Sequence, residues 1–214
     1  MRTGTENTRF ARWVGLVVLT LGVFAAHTVR GADIVKVEED WQLVVANPDP
    51  SNYAPQITAT MSPTVDLNSL YAVFDLNLKN LPSYEAGGMQ LQIWSQDASV
   101  ASKRLNTGTL LQHANETVTW TQRMSLHEGQ LSFTIVNGDS QTWGHFGGEE
   151  SFGLQFQTNL SNLNGYDPSV STANSGIGYS ANRVSSLALV AVRAYSEAQL
   201  EIQDNNPKVI YLHP

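Results

Sequence analysis

Apolar and polar residues alternate with a period of two along most of the chain after residue 31, and this alternation constrains the fold most strongly. In "LYAVFDLNL", which begins at Leu70, every second residue is apolar. In "MQLQIWSQ", which begins at Met89, the same holds as far as Ile93. Successive side chains of a strand point to opposite faces, so the pattern predicts strands that each bury one face. A similar stripe runs from Val35 to Val45, where Glu39 interrupts it and suggests a bulge.

Turn signals rich in Gly, Asn and Pro, such as "NPDP" at 47–50 and "NLPSYEAGG" from Asn80, separate these stretches. We expect no helix outside the first 31 residues. "SSLALVAVRAY", from Ser185, is apolar on both faces, as a central strand is. The longest irregular stretch, residues 162–178, is expected to be a long loop. Many short antiparallel strands around one core predict an all-β fold: a two-sheet β-sandwich or jelly roll, formed by residues 32–214 as a single domain.

The first 31 residues have the pattern of a secretory signal peptide. Arg2, Arg9 and Arg12 precede an apolar run over residues 13–26, and small residues follow it. The run is shorter than the roughly 20 residues that a membrane-spanning helix needs. We therefore expect a secreted or periplasmic protein with no membrane attachment after cleavage, and an uncleaved N-terminal anchor is the alternative.

Cysteine content and charge narrow the classes of partner. The chain has no cysteine, so it has neither disulfides nor a thiol nucleophile, and an exported domain of this kind favours a bacterial source. Without residues 1–31, which hold four basic residues and one acid, the formal net charge falls from −7 to −10. Nucleic acid is an unfavourable partner because no Lys or Arg cluster is present to neutralise phosphates.

Two hairpins are predicted in the segment "WTQRMSLHEGQLSFTIVNG" and the residues after it. A two-residue turn at Glu128-Gly129 opposes Leu126 to Leu131, so that large apolar residues meet on one face. A second turn at Asn137-Gly138 is predicted because Asn-Gly suits the positive φ angles of a type I′ turn. The opposite face of this three-stranded meander is then polar with one tryptophan, and it comprises Thr121, Arg123, Ser125, His127, Gln130, Ser132, Thr134, Asp139, Gln141, Trp143 and His145.

This polar face is the candidate ligand-binding surface. An exposed tryptophan stacks on the apolar face of a sugar ring, and polar neighbours bond its hydroxyl groups. Trp143 is the expected stacking platform, with Arg123, Gln141 and Ser132 as its hydrogen-bonding neighbours. Trp94, on the Gln-rich side of its own strand, is a second candidate aromatic. The predicted ligand is a polysaccharide or a cell-surface glycan.

A purely structural explanation of these tryptophans stands beside the functional one. A loop or the chain terminus would cover Trp143, or a slip of one residue in register would turn it inward. Trp41 and Trp120 fall on apolar faces and are expected in the core.

The segment from Trp120 to Gly138 resembles the tryptophan strand, hairpin, apolar strand and Asn-Gly turn of laminin-G-like and concanavalin A-like sandwiches. The resemblance implies a two-sheet jelly roll that binds carbohydrate or another extracellular ligand, in some members with calcium. No residue matches the calcium ligands of those families, so the resemblance assigns no metal residue. No cofactor is expected, and calcium remains possible.

The sequence offers little for catalysis, and no catalytic residue is assigned. Sandwich glycosidases need two carboxylates flanking the scissile bond, about 5–10 Å apart, and the E-x-D-x-(x)-E pattern is absent. The acids at 38–40 are interpreted as a solvated strand edge, and those at 149–150 as an exposed loop. Asp139 and His145 are predicted to lie about 20 Å apart along one strand, too far to share a metal ion. A calcium site in the loop that contains Asp167 and the two asparagines at 162 and 164 remains possible.

The favoured hypothesis is therefore an exported, non-catalytic binding module. Two alternatives remain open. A polysaccharide hydrolase or lyase on the same fold needs a carboxylate pair or a set of His, Tyr and Arg side chains in one cleft, and Glu149 or Glu150 pointing into a groove beside Trp143 would favour it. A structural or assembly protein of the cell envelope would use its sheet edges or the loop at 162–178, and the sequence leaves its oligomeric state open.

Overall fold

The computed structural model describes residues 32–46, 55–78, 88–105, 109, 111, 113–179 and 181–213. The predicted signal peptide at 1–31 and the turn signal at 47–50 lie outside the described residues, as does most of the turn signal that begins at Asn80. Within the described ranges, no helix has the length and apolar character needed to cross a membrane. The strands are β1 Lys36–Val45, β2 Gln56–Met61, β3 Tyr71–Leu78, β4 Gly88–Ser95, β5 Ala98–Leu105, β6 Thr117–His127, β7 Gln130–Ser140, β8 Gly144–Phe146, β9 Gly153–Gln157, β10 Gly176–Tyr179, β11 Val184–Tyr195, β12 Leu200–Asp204 and β13 Lys208–Leu212.

The strands form two antiparallel sheets. Sheet A has the order β12-β11-β1-β6-β7-β8, with β13 also paired to β11 and β9 also paired to β7. Sheet B has the order β10-β2-β3-β4-β5. The predicted all-β, two-sheet architecture is therefore confirmed, and "SSLALVAVRAY" forms β11, an interior strand of sheet A as expected.

The core lies between the two sheets and consists of the predicted apolar stripes. The indole rings of Trp41 and Trp120 stack with centroids 6.1 Å apart, and Phe74 of sheet B meets the Trp120 ring edge-on at 6.0 Å. Both tryptophans are fully buried, as predicted. Aromatic rings bury large apolar areas, so these contacts across the sheets contribute strongly to holding the sandwich together.

The expectation that no helix follows residue 31 was wrong. Within the predicted loop at 162–178, residues Pro168–Asn174 form helix α2, and a single turn, α1, spans Glu149–Phe152. Asp167 caps α2 by accepting a hydrogen bond from the Ser169 backbone N–H at 2.8 Å. An Asp-Pro pair at a helix start is a recognisable signal, since the acid caps the first turn and proline suits its first position.

One predicted hairpin is confirmed and the other is wrong. Leu126 lies opposite Leu131 around a turn at Glu128 and Gly129, whose φ angles are 48° and 76°. At Asn137-Gly138, however, the chain does not turn. Strand β7 continues to Ser140, and the turn falls at residues 141–143 before β8.

Candidate functional site

The face of sheet A that points away from sheet B carries a network of charged and polar side chains. Strand β1 lies between β11 and β6, and alternate residues of all three strands point outward. On β7 and β9 the outward side chains are mostly small or uncharged, and Asp139 near the end of β7 is the exception. This surface, here called the outer face, includes Glu38, Asp40, Thr121, Arg123, Ser125, Ser132, Thr134, Gln155, Arg193 and Tyr195.

Two arginines and two acids form a network across the centre of this face. Arg123 Nε donates to Glu38 Oε1 at 2.9 Å, and Arg193 Nε donates to Glu38 Oε2 at 3.2 Å. Both outer nitrogens of Arg193 also donate to Asp40, Nη1 to Oδ2 at 2.5 Å and Nη2 to Oδ1 at 2.8 Å. The Tyr195 hydroxyl completes the network by donating to Glu38 Oε2 at 3.0 Å. The planar groups are thus fixed in place before any ligand arrives.

These contacts keep the acids ionised. Burial alone would raise the pKa of Glu38, but the hydrogen bonds from Arg123 and Tyr195 outweigh it and hold that pKa below its usual range. Burial likewise opposes ionisation of Asp40, and the Arg193 guanidinium lowers its pKa. Reciprocally, the hydrogen bond to Asp40 raises the pKa of Arg193. The network therefore presents fixed charges of both signs at neutral pH.

Three open depressions cross the outer face and together form what we call the polar groove. The largest, of about 700 Å³, is bordered by Arg123, Asn137, Asp139 and His145. A second, of about 370 Å³, shares Asn137 and extends over Asp40 and Arg193. The third, of about 380 Å³, is lined by Ser125, Ser132, Thr134, Glu149, Gly153, Leu154 and Gln155.

Two of the sequence-predicted site residues lie in or beside this groove. Arg123 borders the largest depression, and its side chain is partly exposed. Ser132 lies in the third depression, where its hydroxyl is 2.7 Å from that of Ser125 on the adjacent strand. The prediction placed both side chains on the same polar face, and the register of β6 with β7 brings them there.

Trp143 and Gln141 do not lie on the polar face beside Ser132, so the strand register predicted for them was wrong. Both belong to the turn at 141–143 that follows β7. The Trp143 indole N–H donates to the Thr109 carbonyl oxygen at 2.8 Å, and its ring meets Phe146 edge-on at 6.2 Å. Part of this side chain therefore serves the packing of the turn.

A buried acid explains why the chain turns where it does. Glu116 accepts hydrogen bonds from the Ser140 hydroxyl at 2.6 Å and from the Thr142 backbone N–H at 2.7 Å. The Thr142 hydroxyl donates to its other oxygen at 2.5 Å. A carboxylate that collects several donors organises a tight turn around itself, and this interaction links positions 24 and 26 residues apart in the sequence.

Trp94 lies on the other sheet. It is on the outward side of β4, as predicted, and its ring stacks on Tyr71 with centroids 6.4 Å apart. Sheet B separates it from the polar groove, so Trp94 and Trp143 do not belong to one site.

The separation predicted for Asp139 and His145 was also wrong. These residues are directly opposite in the β7–β8 pair, and His145 Nδ1 lies 3.0 Å from Asp139 Oδ1. Even so, the described residues contain no group of three or more His, Asp or Glu side chains that would hold a metal ion. In the loop considered for calcium, Asp167 caps α2, while Asn162 and Asn164 donate to Asp33 at 3.3 Å.

The acids at 38–40 are not a solvated edge, and this interpretation is corrected. Strand β1 is internal in sheet A, with a neighbour on each side, so its outward acids meet arginines from β6 and β11. Glu39 points inward and is fully buried. The outward network was missed because single-sequence reasoning could not place Arg123 and Arg193 beside β1. The available signal was an isolated arginine in each of two otherwise uncharged strands.

Glu149 does not show the arrangement that would favour a hydrolase, which is an acid in a groove beside Trp143. It is exposed, as predicted, and its carboxylate lies 3.6 Å from Arg123 Nη1. It lines the third depression, but Trp143 does not. Glu150 is exposed as well, and its backbone carbonyl accepts a hydrogen bond from Lys103.

Comparisons with known proteins add little to this description. No protein-family model and no curated protein matches the chain. One similar solved structure is SCP-B, a member of the eqolisin family of peptidases, in a complex with the tripeptide Ala-Ile-His. The likeness has a TM-score of 0.29 and 9% sequence identity, over 84% of this chain and 83% of that chain. A similarity of this strength carries no conclusion about activity.

Proposed function

We propose that the protein is a non-catalytic binding module whose polar groove takes a carbohydrate. The proposal includes export through the signal peptide at 1–31 and a concanavalin A-like or jelly-roll affiliation of the sandwich. One observation supports it most: Arg123 is held by Glu38 on an open groove whose lining includes hydroxyl and amide side chains beside apolar ones.

The chemistry of the groove suits a polyhydroxylated ligand. Sugar hydroxyls both donate and accept hydrogen bonds, and the groove offers donors and acceptors on fixed planar groups and on short side chains. Ser132 and Gln155 lie at the positions of β7 and β9 that face each other, which places a hydroxyl and an amide side by side. Because strands hold these groups, little ordering entropy remains to be lost on binding.

The charge of the groove favours a neutral polymer. Its two guanidinium groups, on Arg123 and Arg193, are already matched by Glu38 and Asp40. Asp139 and Glu149 add further negative charge at the rim. A uronate or sulfate group would meet repulsion here, whereas neutral hydroxyls would not.

The test is affinity electrophoresis of residues 32–214 in gels containing neutral or acidic polysaccharides, with calcium and with chelator. We expect retardation by a neutral polymer. Gln155→Ala and Arg123→Lys should each weaken it by about tenfold, as expected for one or two lost hydrogen bonds. Gln92→Ala, on the outward side of sheet B, is the matched control and should bind as the parent does.

Other outcomes would contradict particular parts of the proposal. If Trp143→Ala abolishes binding while Gln155→Ala does not, the ligand binds at the 141–143 turn, on the tryptophan that the sequence analysis chose as the stacking platform. Release of reducing ends would favour the hydrolase alternative. No retardation by any polymer would overturn the carbohydrate proposal.

A further inference from the structure

The C-terminal edge of sheet A holds most of the exposed large hydrophobic side chains of the described chain. Seven large hydrophobic side chains are exposed among the described residues, and four of them lie on β12 and β13. Both strands pair antiparallel with β11, one after the other, so together they form one interrupted edge strand. The four residues, with their exposed fractions, are Leu200 at 42%, Ile202 at 56%, Val209 at 61% and Leu212 at 70%.

This edge has apolar residues on both of its faces. Leu200 lies opposite Tyr195 and Leu212 opposite Ser186, which places both leucines on the outer face. Ile202 lies opposite Ala194, a buried residue, and so points to the inner side. Edge strands exposed to water are normally protected by charges, prolines or bulges, and on this edge Asp204, Pro207 and Lys208 lie between the exposed apolar residues. Apolar side chains on both faces of an edge strand gain burial when a neighbouring strand places side chains beside them.

We propose that this edge pairs with the same edge of a second copy of the chain, antiparallel, about a two-fold axis at Asn206. The sequence of the edge is complementary to itself in this register. Leu200 then faces Leu212 of the second copy, and Asp204 faces Lys208 of the second copy. Opposite residues of an antiparallel pair must lie on the same face of the sheet, and both of these pairs satisfy that condition.

The faces of the paired residues follow from their partners on β11. Both leucines are on the outer face. Asp204 lies opposite Val192 and Lys208 opposite Leu189, which places the two charged residues on the inner side. Within one chain these side chains already form an ion pair, Lys208 Nζ to Asp204 Oδ2 at 2.5 Å. In the dimer each charge gains a second partner of opposite sign, so the charges favour this register over a shifted one.

The segment between the two strands lies at the proposed two-fold axis. Residues 205–207 are not part of either strand, and Pro207 has no N–H to give to a ladder. At the two-fold axis, residues 205–207 of the two copies face each other. The Asn206 backbone N–H already donates to Asp204 Oδ1 at 2.9 Å within its own chain, so it does not need a partner on the second copy. Because the contact uses the same surface on both copies, it closes on itself and leads to a dimer rather than a fibre.

A cysteine at the axis tests the register directly, because the chain has no cysteine of its own. In the proposed dimer residue 206 faces its own copy, with Cα atoms about 5 Å apart, within the reach of a disulfide. Asn206→Cys should therefore form a disulfide-linked dimer under mild oxidation at low protein concentration. Ser99→Cys, on the exposed edge strand β5 of sheet B, is the matched control and should stay monomeric.

Charge substitutions test the same register in sedimentation equilibrium of residues 32–214. Leu212→Lys or Leu200→Glu alone should weaken the dimer by about tenfold or more, since each replaces two apolar pairs. Combined in one chain, they should restore it, because opposite charges then meet across the axis. The two positions lie at opposite ends of the edge within one chain, so an intrachain contact would not explain the rescue. Val100→Lys on the other sheet edge should have no effect.

Three results would overturn the proposal. One is a monomer at every concentration up to the millimolar range. Another is equal cross-linking of Asn206→Cys and Ser99→Cys. The third is a double variant that dimerises no better than either single variant. These readouts do not involve carbohydrate, so they are independent of the binding function proposed above.

Discussion

At the scale of single residues, Glu39 is the most deeply buried acid of the described chain. Its carboxyl is fully buried between the sheets and accepts hydrogen bonds from the Trp41 indole at 3.1 Å and from the Tyr166 hydroxyl at 2.8 Å. The Ser171 hydroxyl on α2 donates to it at 2.5 Å. Burial raises its pKa to about 7, although these three donors favour the ionised form. Glu39 thus joins β1 to α2 and to the segment before it.

Because the pKa of Glu39 is raised, we expect the free energy of unfolding to fall as the pH rises. Its pKa is raised from 4.5 to about 7 on folding, so the folded state holds a proton that the unfolded state has released between these values. The free energy of unfolding should therefore decrease across this window, on the order of 3 kcal/mol from this group. Chemical denaturation at pH 5 and pH 8 measures the difference.

Glu39→Gln is the variant that isolates this effect. It should flatten the pH profile between 5 and 8 relative to the parent. It should also cost about 1 kcal/mol at pH 5, because the Trp41 N–H then faces an amide NH₂ group. Glu38 and Asp40, whose pKa values are lowered, act in the opposite direction below about pH 4 and are unchanged in the variant. A parent profile that rises between pH 5 and 8 would contradict the assignment.

At the scale of elements, the hairpin of β6 and β7 is where local sequence and structure agree best. Both turn residues have positive φ, yet only Gly129 is a glycine, and Glu128 adopts 48° at some cost. A Cβ at Gly129 would also lie 3.3 Å from the Thr158 carbonyl oxygen. These φ angles fit a type I′ turn, although glutamate is not the residue that suits its first position best.

Two substitutions in this turn should change stability in opposite directions. Glu128→Asn should stabilise the protein by about 0.5–1 kcal/mol, because asparagine tolerates positive φ better. Gly129→Ala should destabilise it by about 1 kcal/mol or more. Gly165→Ala is the control, since that glycine has ordinary φ and space for a Cβ at 3.6 Å. Thermal unfolding gives the comparison, and a stabilising Gly129→Ala would show that the turn is not type I′.

The same hairpin shows why a strong local signal failed nearby. Asn137-Gly138 has the composition of a turn, and Asn137 does have a positive φ of 53°. Gly138 is nevertheless required for packing, since a Cβ there would lie 2.3 Å from the Phe146 ring. Contacts with β8 and with Glu116 determine the turn position, and neither is visible in the dipeptide itself.

At the scale of the whole molecule, the outer-face network connects three strands that are distant in sequence. Arg193 of β11 and Arg123 of β6 both bond acids of β1, across separations of 153 and 85 residues. Removing one partner of such a partly buried set leaves a charge without compensation, which is more costly than the pair itself is stabilising. The same groups also form the floor of the polar groove.

Arg193→Gln should therefore destabilise the protein by about 1–3 kcal/mol, a range reduced for the partial exposure of the pair. Asp40→Asn in the same chain should recover part of that loss, because it removes the uncompensated charge. Lys36→Gln is the comparison variant: its ammonium lies 4.0 Å from Glu38 and 3.8 Å from the centre of the Tyr195 ring, and it is more exposed than Arg193, so its effect should be smaller, about 1 kcal/mol or less. Urea denaturation of the parent, Arg193→Gln, Asp40→Asn, the double variant and Lys36→Gln measures the coupling, and additive effects of the two single substitutions would show that the Arg193–Asp40 pair contributes nothing.

The sequence by itself determined the most clearly alternating strands and the core of this protein, because a period of two is a local property of each strand. It did not show α1 or α2. It placed the Trp41, Trp120 and Phe74 side chains in the interior and the Glu128-Gly129 turn at the right position. Only the tertiary structure decided which strands are neighbours. That choice turned the supposed edge at 38–40 into an internal strand and moved Trp143 away from Arg123. Pairing across more than a hundred residues depends on the packing of both sheets together, and no local pattern contains that information.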